Sequence, residues 1–212
     1  MNDYISNVHH TTHHQGEYVT HTSRPVTISS LHGSRILDSR GYPTIQVHLE
    51  LEDGTVVTGD APAGASTGAH EAVELRDGGS SYGGRDVSQA LHLIATDVAP
   101  MITGQSWTSI GQVDAALAAL DGTPNYRRLG ANSVVATSIA MARALAAAAE
   151  LPLWRWIADV TGSTPRLPVP HFNVLNGGAH AANALDFQEF MIAPVNADTM
   201  TDAVRILSLI HI

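Results

Sequence analysis

Residues 44–62, TIQVHLELEDGTVVTGDAP, alternate in polarity up to a sharp reversal. Ile45, Val47, Leu49 and Leu51 fall on one face, and Gln46, His48 and Glu50 on the other. A period of two marks a half-buried strand. Asp53-Gly54 is the strongest short hairpin signal in the chain, because these residue types accept the backbone angles of a tight turn. TVVTG then supplies the returning strand. Upstream, PVTISSLHGSRIL is β-branched and roughly alternating and reads as a third strand, with SRGYP as the turn before residue 44. The expectation is a small antiparallel meander ending near Ala61. His48, on its polar face, reads as a solvated strand residue rather than a ligand.

Helices follow. DVSQALHLIATDVAPMI places Val87, Leu91, Ile94 and Val98 on one stripe. WTSIGQVDAALAALDG places Trp107, Ile110, Val113, Leu117 and Leu120 on another, and Gly122 stands where a helix ends. GANSVVATSIAMARALAAAAE is alanine-rich and predicts a long, closely packed helix. PLWRWIADVTG opens on a proline suited to a first helical turn and closes on Gly162. The composition then shifts: the prolines of STPRLPVPHFNVLNGG mark a linker. FNVL reads as a buried strand, Asn176-Gly177-Gly178 as a turn, and ALDFQEFMIAPV as another strand. A last helix would place Val204, Leu207 and Ile210 on one face. The fold class expected is an α+β N-terminal domain followed by the start of an α/β barrel. The boundaries read are a disordered histidine-rich leader over 1–24, an α+β domain over 25–164, and the opening of a second domain over 165–212.

The totals exclude several chemistries. Cysteine is absent, so no disulfide or thiolate metal site exists, which fits a cytoplasmic protein. Lysine is absent as well, which removes a P-loop lysine, a Schiff-base lysine and a lysine general base from these residues. The formal charge is −9 and basic residues form no cluster, which argues against a nucleic-acid partner. By inspection no apolar run reaches the roughly 18 residues of a membrane span, so no membrane partner is expected. The N-terminus lacks the apolar core of a secretion signal. Its His9 with His13 and His10 with His14 have the spacing of a helical metal pair, but the polar surroundings favour a disordered leader.

One stretch serves no core. APAGASTGAHEAVELRDG, residues 61–78, sets small residues between a strand and a charged, helix-like segment. Together with ILDSRGYPT (36–44), LGANSVVATSIAMARALAAA (129–148) and LPVPHFNVLNGGAHAANALDFQEFMIAP (167–194), it closely resembles enolase in order and spacing. The resemblance implies a Mg²⁺-dependent lyase of glycolysis acting on a small phosphorylated acid, 2-phosphoglycerate or phosphoenolpyruvate. It also implies a homodimer or higher oligomer. Gly64, Ala65, Ser66, Thr67 and Gly68 look like the family's closing lid, with Ser66 a ligand of the second Mg²⁺. Ala63 stands where the family usually has serine. His180 is similar to the histidine that closes onto the substrate region. Gln188 and Glu189 resemble the QEF pair, with Glu189 the stronger candidate for substrate contact; in a strand the two would face opposite ways. Arg40 resembles an arginine near the mouth of the active site, either there or in a structural ion pair. Tyr42 replaces the usual asparagine.

The family's catalytic lysine, principal acid glutamate and three metal carboxylates have no counterpart within residues 1–212. A boundary near residue 164 leaves a short second domain, and LSLIHI departs by inspection from the family pattern. The expectation is an enolase fragment, inactive alone. The alternatives are a non-catalytic partner-binding domain and a related dehydratase acting on another acid.

Overall fold

A computed structural model describes residues 24–64 and 68–210, so the leader and the histidine pairs within it lie outside the described residues. The chain forms two compact units, one ending at Ser163 and one beginning at Thr164.

In the first unit β1 (Val26–Leu37), β2 (Pro43–Leu51) and β3 (Val56–Asp60) form the meander, in antiparallel order β3-β2-β1. A two-residue strand, β4 (Ser106–Trp107), adds to the start of β1. The reversal after β2 is built as its sequence suggests. Gly54 N–H donates to Leu51 O at 2.9 Å, Thr55 N–H donates to the Asp53 carboxylate at 2.8 Å, and Gly54 takes a left-handed φ of +83°. The alternation becomes burial: Ile45, Val47, Leu49 and Leu51 lie in the core beside Ile28 and Leu31.

Helices cover that face. The run α1 (Ser88–Leu93), a wide π turn (Ile94–Val98) and α2 (Ala99–Ile102) is continuous, and its wide turn precedes Pro100, which has no N–H to close a regular ladder. Val87, Ile94 and Val98 are fully buried, as their stripe predicts. Helix α3 (Ile110–Asp121) starts at the Ser109 cap and stops at Gly122. Trp107 does not join its stripe: it sits in β4, and its indole N–H donates to Ile102 O at 3.0 Å. Helix α4 (Ala131–Ala148) is the central one and packs on β2 and β3. Contrary to the reading by inspection, α4 has the length and composition of a membrane span, with a mean hydropathy of 1.3. Here its apolar face, including Ala136, Ala140, Met141 and Ala144, forms the core of the unit. Helix α5 (Leu153–Thr161) buries Trp156 and leaves Trp154 exposed.

The charged segment after residue 70 is not helical. Its backbone bonds elsewhere: Val73 N–H donates to Asn125 O at 2.8 Å, and Leu75 exchanges two bonds with the Asn132 side chain. Glu74 and Arg76 pair there as a two-pronged fork at 3.0 and 3.2 Å.

In the second unit β5 (Phe172–Asn176) and β6 (Glu189–Ile192) form an antiparallel pair, followed by α6 (Met200–Leu209). Their connection carries only a short 3-10 turn, Gly178–His180, so it closes as a hairpin; a parallel crossover takes a helix-length connection. The FNVL strand forms but is not buried: Asn173, Val174 and Leu175 are exposed. One partner strand and one helix are too little to cover it. In α6 the inward residue is Ala203, with Leu207 half-buried one turn on, while Val204 and Ile210 are exposed.

Candidate functional site

The site residues named from sequence fall in both units. In the first, the turn between β1 and β2 is organised by Asp38. Its carboxylate accepts the backbone N–H groups of Arg40 and Tyr42, each at 2.9 Å. The Tyr42 N–H bond does most to hold the Asp38 carboxyl below its usual value; burial opposes it, and the Arg40 N–H and the Arg40 and Arg76 charges add to the lowering. The turn presents Arg40, whose guanidinium donates to Gly64 O at 3.1 Å. Arg40 therefore contacts backbone at the near end of the small-residue stretch 64–68. Ala65, Ser66 and Thr67 lie outside the described residues; at the far end Gly68 N–H donates to Glu71 Oε1 at 2.9 Å.

Tyr42 has a structural role that its sequence context did not reveal. Its ring lies 4.2 Å beneath the Arg85 guanidinium. Arg76 donates to Pro43 O and Arg85 O, so the turn, the Glu74–Arg76 segment and Arg85 are joined. A cavity of about 590 Å³ beside them is lined by Gly64, Gly68, Glu71, Glu74, Arg76 and Asn125.

In the second unit the Asn176-Gly177-Gly178 turn places His180. Gly177 is needed for room: a Cβ there would sit 2.5 Å from Phe187 O and 2.6 Å from Leu185 Cβ. Gly178 is needed for conformation, with φ +55°. Gly178 N–H donates to Leu185 O at 2.7 Å and Gly177 N–H to Gln188 O at 3.1 Å, so the connection is cross-braced. His180, on the 3-10 turn, brings Nδ1 to 3.2 Å from Glu189 Oε1. Glu189 is the first residue of β6, opposite Asn176. Gln188 precedes the strand in a bend, so strand alternation does not govern this pair.

The structure thus joins His180 to Glu189, and Arg40 to Gly64. Among the described residues no three His, Asp or Glu side chains converge as a metal site. Sequence reasoning missed Asp38, Glu71 and Arg85. An Asp two residues before an Arg-Gly turn was the available signal for the first, since Asp side chains cap such turns; the other two act across space.

Residues 28–157 match the family model described as "Enolase, N-terminal domain", which covers more than half of the chain. Residues 164–211 match "Enolase, C-terminal TIM barrel domain". The second match continues through LSLIH, the segment that by inspection departs from the family. Residues 164–211 are a small part of a barrel, which takes about 250 residues when complete.

Proposed function

The chain belongs to the enolase family of lyases, and from this we propose that it forms part of an enzyme interconverting 2-phosphoglycerate and phosphoenolpyruvate. The observation that carries the proposal is the contact of His180 Nδ1 with Glu189 Oε1 at 3.2 Å, within the segment matched to the barrel domain.

The chemistry asks for such a pair. Removing a proton beside a carboxylate gathers a second negative charge on an anion, and a bound divalent cation, Mg²⁺ by family resemblance, supplies the stabilisation. By family resemblance Glu189 would meet a substrate hydroxyl. Its bond to His180 fixes the orientation of its carboxylate, and a ring nitrogen of His180 can move a proton to or from the substrate side. Gln188 adds a polar neighbour. Arg40, by holding Gly64 O, sets the near end of the small-residue stretch that would exclude water, and Ser66 would offer a hydroxyl to the second cation. The same reading assigns the reaction to glycolysis in the cytoplasm and to a homodimer or larger assembly.

The test is a phosphoenolpyruvate-forming assay. The 212-residue polypeptide alone is expected to give no turnover, having no lysine to act as base. The polypeptide extended by the coding sequence after codon 212 is expected to give Mg²⁺-dependent turnover. Turnover by the 212 residues alone, or none in the extended form with another acid substrate accepted instead, would overturn the proposal.

A further inference from the structure

The outer face of the sheet holds two histidines that the proposed reaction does not use. His32 on β1 and His48 on β2 are direct partners in the antiparallel register. Their rings are parallel within 2°, with centroids 4.6 Å apart. Ser34 Oγ lies 2.9 Å from His48 Nε2. His32 is exposed and His48 half-buried, so the pair is open to solvent on one side. The carboxylates of this face are engaged: Asp60 accepts from Gln46 at 2.7 Å, and Glu50 from Ser30 at 3.2 Å.

We propose that His32 and His48 form a two-ligand surface site for a divalent transition-metal ion of the imidazole-preferring class, Zn²⁺, Ni²⁺ or Cu²⁺. An ion bound to both rings at the usual metal–nitrogen distance takes two nitrogens about 3.3 Å apart in a tetrahedral arrangement. The strands hold the rings side by side with centroids 4.6 Å apart, and the Cβ–Cγ torsions that would turn a nitrogen of each toward one ion are soft. Neutral imidazole is the ligating form. Burial first, and the neighbouring His32 second, lower the His48 pKa from its ordinary value, with Asp60 acting the other way. Among the described residues no third His, Asp or Glu completes a cage, so water fills the other positions. Mg²⁺ is not a candidate, because it is a hard ion that prefers oxygen ligands. The site is therefore independent of the lyase reading, and either can fail without the other.

The experiment uses the whole chain with His9, His10, His13, His14 and His21 changed to Ala, so that the leader does not compete. Cu²⁺ is titrated while backbone amide resonances are followed. Broadening is expected to begin at Leu31–Gly33 and Val47–Leu49, and the same amounts of Mg²⁺ should leave these signals unchanged. In competition titrations with Zn²⁺, His32→Ala and His48→Gln should each weaken binding by about ten-fold or more, since each removes one arm of a chelate. Broadening that starts elsewhere, for instance around His180 and Glu189, would overturn the proposal. So would single variants that bind as the parent does.

Discussion

The Asn132 side chain stands in for a strand neighbour of Leu75: Leu75 N–H donates to Oδ1 at 3.1 Å, and Nδ2 donates to Leu75 O at 3.0 Å. One amide at the start of α4 thereby fixes the non-helical segment that carries Glu74 and Arg76. Asn132 is only 4% exposed and Leu75 is half-buried, so removing the amide leaves the Leu75 N–H and C=O without their partner in a part-buried position. Asn132→Ala is expected to cost about 2–3 kcal/mol. Urea denaturation checks it: the midpoint should fall while the slope stays constant.

A second contact sets how closely α4 approaches the sheet. A Cβ at Gly59 would lie 2.2 Å from Ala136 O and 2.4 Å from Ala140 N, both backbone atoms of α4. No side chain can yield there, so Gly59→Ala must push the helix off β3. The expected cost is about 3 kcal/mol, at the upper end of overpacking effects. Thr58→Ala, on the opposite face of the same strand, should change stability by less than about 0.5 kcal/mol. Equal thermal shifts for the two variants would contradict this packing.

These two sites show what a linear reading can and cannot reach. The meander was legible because alternation and Asp53-Gly54 are local signals, and α4 because its composition admits little else. The segment after His70 was misread as helical. Its leucine and glutamates suit a helix, but the partners that hold it extended, Asn125 and Asn132, come from about fifty residues away. Likewise Tyr42 was visible only as a departure; the guanidinium beneath which it lies belongs to Arg85, across a chain reversal. For the candidate site, motif order named His180 and Glu189, and the geometry added that they touch. Arg40 had two open readings, at the mouth of the site or in a structural ion pair; its contact with the Gly64 carbonyl, across 24 residues, was in neither.

Stability should depend on pH through His48. Burial first, and His32 second, depress its folded pKa from the ordinary 6.5. Between the folded and unfolded values the unfolded chain binds more protons. The contribution is therefore fully present above about pH 6.5 and is lost as pH falls through the folded value. A separate loss follows at lower pH from Asp86. Burial pushes its pKa up, but the Val87 N–H, Ser81, Arg35 and Ser88 together outweigh that and hold it below 3.8. Stability of the parent should decline from pH 7 to pH 5, and His48→Gln should flatten that limb while leaving the acid limb below pH 3.8. An unchanged upper limb in the variant would show that another group titrates there.

The 212-residue polypeptide should self-associate. In the second unit Val174, Leu175, Phe187, Phe190 and Met191 are all exposed large apolar residues. Among the described residues β5 and β6 pair only with each other, leaving one edge of each strand open. Open edges beside apolar surface are templates for pairing with further chains. Light scattering after size exclusion should show species above 22.4 kDa at micromolar concentration, shifting upward with concentration. Arg and Glu substitutions at Phe187 and Phe190 should shift the distribution toward monomer. A concentration-independent monomer in the parent would refute the expectation.

The last prediction concerns the pair behind the proposed reaction. Glu189→Gln keeps the shape of the side chain but removes its charge, so Oε1 no longer orients His180 as an anion. Glu189 is about a third exposed at its side chain, so the exchange should leave folding nearly unchanged, within about 0.5 kcal/mol. Turnover of the extended enzyme should fall by about 100-fold or more, the scale of a lost acid–base group. Gln188→Ala, which removes a neutral neighbour lying outside the strand, should cost less. Because the loss lies in proton handling, it should appear in kcat more than in KM, and the pH profile of Glu189→Gln should lose one limb. A variant with full turnover, or one whose defect lies wholly in KM with the profile intact, would reduce the His180–Glu189 contact to a structural ion pair.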